Sequence, residues 1–154
     1  GTSSAVLVNR AVAKKVGAVL DAKLTPIMCV GETERDKDGH YLALLEKSIL
    51  DSLALVDEVA LKKVVIAYEP VWAIGAPLPP SARTIRETII FIRKTLAQKY
   101  NRDVALKVRI LYGGAVSAET ATDLIENSSA QGFLLGRASV DASAFSSILS
   151  VWNK

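Results

Sequence analysis

Val64-Val65-Ile66-Ala67-Tyr68-Glu69-Pro70-Val71-Trp72-Ala73-Ile74-Gly75 is the stretch on which the reading of this chain turns. Val64 to Ala67 form a short apolar, largely β-branched run, the kind found in parallel sheets covered on both faces. A carboxylate, Glu69, then stands at the strand's carboxyl end. Pro70 stops the ladder because it has no N–H to give. Trp72 and Gly75 follow in a loop, a bulky anchor beside a flexible joint. A carboxylate where a strand opens into a loop occupies the place where α/β folds set catalytic groups. Taken alone, the stretch is equally compatible with a solvated acid behind a core strand.

Outward from this stretch, strands and helices alternate. Val8, Val12, Val16, Val19 and Leu20 recur at spacings of three and four and predict a helix over 5–23. Leu24-Thr25-Pro26 breaks it, and a strand is expected over 27–30, followed by a polar loop from Gly31 to Gly39. Leu42, Leu45, Ile49, Leu53 and Val56 mark a helix over 41–56. After the central strand, Ser81 is the expected N-cap of a helix over 82–100 with Ile85, Ile89, Ile92 and Leu96 inward. A strand is expected over 106–112, a helix capped by Ser117 to 126, a strand over 132–135, and a closing helix capped by Asp141. The alternation implies a parallel sheet in one α/β domain, 1–154, with no linker dividing it.

Composition narrows the function classes. Half of the residues are hydrophobic and 23% are charged, which excludes a disordered chain. The net charge of +3 is scattered, so no nucleic-acid surface is read; a mildly positive chain suits a small anionic substrate. The single cysteine, Cys29, rules out an internal disulfide and fits a reducing cytoplasm. No apolar run reaches membrane-spanning length. The single histidine, His40, follows Gly39 in a charged loop and reads as solvated, and one His with one Cys supports no metal site.

AYEPVWAIG at 67–75 resembles the signature of the triose-phosphate isomerase family. Three further motifs follow the same order: Pro26-Ile27-Met28-Cys29-Val30-Gly31-Glu32 resembles the family's fifth strand, Leu111-Tyr112-Gly113-Gly114-Ala115-Val116 its seventh, and Gly132 to Ser139 its eighth. The resemblance implies a partial TIM (βα)8 barrel, a carboxyl-terminal half-barrel of four parallel strands preceded by one helix. A complete barrel runs to about 250 residues. Half of a barrel leaves two sheet edges and an open inward face, and each apolar side chain left in water forgoes roughly 1.5–3 kcal/mol. Association with a complementary amino-terminal half, or with further copies into an oligomer, is therefore expected.

The resemblance also implies the chemistry, interconversion of glyceraldehyde 3-phosphate and dihydroxyacetone phosphate through an enediolate, a step of glycolysis and gluconeogenesis without a cofactor. Glu69 would be the base, a role that in the family is paired with a neutral His electrophile. The N–H groups of Gly75, Ala115, Gly136 and Arg137, with the turn at Gly113 and Gly114, would grip the phosphate, as glycines let backbone donors approach an anion. Each glycine also admits a reading as a tight turn alone. The indole of Trp72 would hydrogen-bond Glu32 at the loop's hinge, and Tyr112 would support the loop. Cys29 is expected to be a buried thiol supporting the site, with no base to make it a nucleophile.

Three departures qualify the resemblance. Ala115 stands where the family commonly has Ser, and Arg137 where a second glycine is usual. Pro77 and Pro80 stand where family N–H groups latch the closed loop onto that serine and onto the tyrosine matching Tyr112; proline has no N–H to offer. The loop is expected to be stiffer and to close differently or not latch. The family's electrophilic His and its substrate-binding Asn and Lys have no counterpart here, and losing one oxyanion donor alone costs on the order of 10²–10³ in rate. These 154 residues alone are therefore expected to be inactive. The alternative is a non-catalytic, self-associating βα scaffold with residual anion binding.

Overall fold

A computed structural model describes residues 4–74 and 79–152 of the chain. Four strands, β1 (Ile27–Val30), β2 (Val65–Tyr68), β3 (Arg109–Gly113) and β4 (Phe133–Leu134), form one sheet in the order β1-β2-β3-β4. Every pairing is parallel, with Met28 opposite Ile66, Ile66 opposite Ile110, and Tyr112 opposite Phe133. Helix α1 (Ser4–Asp21) precedes the sheet. Helices α2 (His40–Ser52) and α3 (Glu58–Leu61) lead from β1 to β2, α4 (Ala82–Lys99) and α5 (Arg102–Lys107) from β2 to β3, and α6 (Ala118–Asn127) from β3 to β4. Helix α7 (Ala142–Trp152) closes the described chain. This is the open, half-barrel α/β architecture that the resemblance implies.

The period of two in the strands decides which face is covered. Met28, Val30, Ile66, Tyr68, Ile110 and Tyr112 point to one face and join the core cluster with Leu45, Ile49, Ile85, Ile89, Ile92, Leu96 and Leu124 from the helices. Ile27, Cys29, Val65, Ala67, Arg109 and Leu111 lie on the other face and outside that cluster. Ile27 is 50% exposed there, and Arg109 is exposed on the same face two strands away, across Val65. Cys29 corrects an expectation. It is exposed, because β1 is covered on one face alone and Cys29 has the wrong parity for the helix side.

Helix starts follow side-chain caps. Ser81 accepts from Thr84 N at 3.2 Å, and Ser117 and Thr120 form a reciprocal capping box. Asp141 Oδ1 accepts from Ser143 N and Ala144 N, both at 3.0 Å. Two boundaries differ from the sequence reading. Helix α2 stops at Ser52, and Asp57 caps the separate turn α3 by accepting from Ala60 N. The segment read as the start of a strand at 106 belongs to α5. Asn101 caps that helix at 2.9 Å through Val104 N, and Arg93 Nη1 gathers its terminal carbonyls at Ala105 (2.9 Å), Leu106 (3.4 Å) and Val108 (3.1 Å). Val8, read as part of the stripe of α1, is 61% exposed.

Candidate functional site at the carboxyl rim of the sheet

The carboxyl ends of the strands bring most of the candidate residues to one rim. Glu69 extends β2 by one residue, its N–H donating to Val30 O at 2.8 Å, and Pro70 then ends the ladder. Its side chain is half-buried. The carboxylate lies against the β3 backbone: a Cβ built on Gly113 would stand 2.6 Å from Glu69 Cγ and 3.0 Å from its Oε1. Gly113 thus makes room for the acid as well as for a turn. A Cβ on Gly31 would run into the carbonyl of Glu69, so the loop after β1 and the loop after β2 cross at a distance only glycine permits. Cys29 sits near enough that Glu69's charge helps raise its thiol pKa, after partial loss of water.

The phosphate candidates are divided. Gly75 and Pro77 lie outside the described residues. Gly113 ends β3 and Gly114 follows it, with the buried Tyr112 hydroxyl folded back beneath Gly114. Ala115 and Gly136 are exposed at the ends of neighbouring strands. Gly136 caps a 3-10 turn over Arg137–Val140, its carbonyl accepting from Ser139 N at 2.9 Å and Ser139 Oγ at 2.6 Å. The N–H groups of Ala115, Gly136 and Arg137 donate to no other group among the described residues. Free amides at adjacent turns are chemically suited to an anion. Pro80 is buried. No group of His, Cys, Asp and Glu among the described residues could hold a metal ion. His40 faces Asp36 at 3.7 Å with an exposed ring.

Behind Glu69 lies a polar network. Trp72, in a 3-10 turn over Val71–Ala73, donates its indole N–H to Glu32 Oε1 at 2.8 Å and its backbone N–H to Glu32 O at 3.3 Å. Glu32 is 4% exposed. The same Oε1 accepts from Tyr68 Oη at 2.9 Å and Arg35 Nε at 2.7 Å. Arg35 Nη2 also reaches Tyr68 Oη at 3.0 Å and Thr88 Oγ1 at 2.5 Å. Partial burial pulls the Arg35 pKa down, but the bond to Glu32 and the charges of Tyr68 and Glu32 together outweigh it and hold the group above its ordinary value. Arg35, Tyr68 and Thr88 were not singled out from sequence. Thr88 carried a signal, a hydroxyl in the apolar stripe of α4 between Ile85 and Ile92.

Burial, with the charge of Glu32 adding to it, pushes the Tyr68 phenol up to about 12, against the lowering influence of Thr88 and Arg35. Tyr100, pushed up to about 12 by burial and by Asp57, donates to Val56 O at 2.9 Å. Both pKa values are raised above the unfolded tyrosine value near 10. Their contribution to stability is therefore complete below pH 10 and is lost as pH rises from there through about 12. An ultraviolet titration should find both phenols protonated at pH 11 while the chain stays folded. Glu32→Gln should move Tyr68 downward and leave Tyr100 in place.

The sequence model described as triosephosphate isomerase matches residues 7–152. The chain is similar to the triosephosphate isomerase of Colwellia psychrerythraea, 46% identical over 143 residues that cover 90% of this chain and 54% of that protein. It is 41% identical to that of Endomicrobium trichonymphae over 92% of this chain and 56% of that protein. With that of Mycobacterium avium the identity is 40%, over 91% and 54%. The chain spans about half the length of the curated relatives it matches.

Proposed function

The chain belongs to the triosephosphate isomerase family, and on that premise we propose that it supplies the base and the phosphate cradle of an isomerase acting on glyceraldehyde 3-phosphate and dihydroxyacetone phosphate. One observation carries the reading. Glu69 stands half-buried at the rim, its carboxylate seated over Gly113 and its turn moored to the loop after β1 through Trp72 and Glu32. A carboxylate so held can take a proton from the carbon beside a carbonyl and return it to the neighbouring carbon of the enediolate. The amides of Ala115, Gly136 and Arg137, in the turns after β3 and β4, would face the phosphate, where barrels of this kind commonly bind one.

The developing oxyanion needs a donor that these residues do not bring to the rim. The only histidine is exposed and turned to Asp36. That donor, with the substrate's other ligands, would come from a second segment covering the open face of Ile27, Cys29 and Leu111, and turnover would take place where the two meet. Self-association through the same face is the competing fate of the chain alone.

Complementation tests the reading. The 154 residues are mixed with the amino-terminal half of a relative's barrel, and triose-phosphate isomerisation is followed. Turnover from the mixture, and none from either part alone, is the expected result. Rapid turnover by the 154 residues alone would overturn it. Failure of every pairing, with sedimentation showing homo-oligomers, would leave the scaffold.

A further inference from the structure

We propose that Arg35 is a positioning residue for the Glu69 turn: it ties helix α4 to the indole of Trp72 and so fixes where the segment from Glu69 to Ala73 rests. The proposal rests on Glu69 being the base, since otherwise its placement has no bearing on turnover.

The geometry is that of a planar fork used in several directions. Nε serves Glu32, while Nη2 serves Tyr68 at the end of β2 and Thr88 on α4. The guanidinium carbon also lies 5.3 Å from the centroid of Trp72 and 5.0 Å from that of Tyr41 on α2. One side chain from the loop after β1 therefore touches β2, α2, α4 and the 3-10 turn that follows Glu69. An ammonium on a flexible stem cannot satisfy these directions together.

Glu32 makes the arrangement sensitive. Its Oε1 accepts from Arg35, Tyr68 and Trp72, while its buried Oε2 has no partner among the described residues. The carboxylate is thus oriented from one oxygen alone, and Arg35 is the cation on that oxygen. A change at Arg35 alters the atom from which the indole hangs. Trp72 stands three residues beyond Glu69, with the restrained Pro70 between them, and its own N–H is held by Glu32 O. Displacing the indole must therefore displace the turn that Glu69 opens.

The test uses Trp152→Phe as the parent, which leaves Trp72 as the only tryptophan. Arg35→Lys keeps the charge and loses the fork. Thr88→Val removes the anchor on α4 without touching Trp72. Far-ultraviolet circular dichroism and melting establish that each variant is folded; emission and acrylamide quenching report Trp72. Arg35→Lys should shift the emission to the red and raise the quenching constant about twofold, because a lysine cannot rebuild the forked contact. Thr88→Val should move both in the same direction by less. Folded variants whose Trp72 signals match the parent would overturn the proposal, and should Arg35→Lys lose its fold, Thr88→Val decides alone. In the complemented assembly, Arg35→Lys should lower kcat and leave KM unchanged. If the parent assembly shows no turnover, the isomerase reading fails while the fluorescence still decides the role of Arg35.

Discussion

Glu69→Gln is expected to lower the turnover of the complemented assembly by about 10²–10⁴-fold, the range a positioned general base contributes. The substitution is nearly isosteric, so the amide fits the space that Gly113 leaves for the acid. What goes is the capacity to accept a proton. Affinity for a non-reacting triose-phosphate analogue should stay within about threefold, because the amides proposed to grip the phosphate belong to other strands. Glu69→Asp separates chemistry from placement. It keeps the carboxylate and withdraws it by one methylene, and a misplacement of about 1 Å can cost on the order of 10²-fold. A loss below tenfold for Glu69→Gln would remove Glu69 from the role of base and move the search to another acid on the assembled rim.

Much of this was legible in the residues themselves. The β-branched run at 64–67, the isoleucines of α4 spaced for one face, and the caps at Ser81, Ser117 and Asp141 each act over a few residues, within reach of a sequence pattern. The errors arose where one pattern serves two structures. Leu106 and Lys107 run into the apolar–polar alternation of Val108, Arg109 and Ile110 and so read as the start of a strand. Asn101, three residues ahead of Val104, caps them into a helix instead. Cys29 reads as a core thiol from its apolar neighbours, but its parity in β1 sets it with Ile27 on the face the helices leave uncovered, while both parities of β2 are buried in mid-sheet.

The polar network was the least legible part, for a reason of distance along the chain. Arg35 meets Tyr68 and Thr88 from 33 and 53 residues away. No local rule couples an arginine in a charged loop to a threonine on a later helix. Glu32 and Trp72 were paired through family resemblance, and the cation that completes the pair lay unmarked among other charges. Gly113 is a similar case. Its turn was visible, but its contact with Glu69 depends on the register of β2 against β3.

Gly31→Ala should be the most destabilising of the small substitutions in this molecule. The added methyl would meet the carbonyl of Glu69, which is backbone and cannot rotate aside. Relief requires the ends of β1 and β2 to part, which strains the 2.8 Å bond from Glu69 N to Val30 O and the bond from Trp72 N to Glu32 O. Overpacking costs typically 1–3 kcal/mol and a lost hydrogen bond about 1, so a loss of roughly 2–4 kcal/mol is expected. For a chain of this size that lowers Tm by about 5–15 °C. Two other glycines bracket the effect. In mid-α1 a Cβ on Gly17 meets nothing within 4 Å, so Gly17→Ala should melt no lower than the parent. At Gly113 the obstacle is the Glu69 side chain, which can move, so Gly113→Ala should cost the assembly activity more than the chain stability. Calorimetric scans of the three variants rank them directly. A Gly31→Ala protein melting within about a degree of the parent would mean that the two loops do not cross as closely as the sheet register requires.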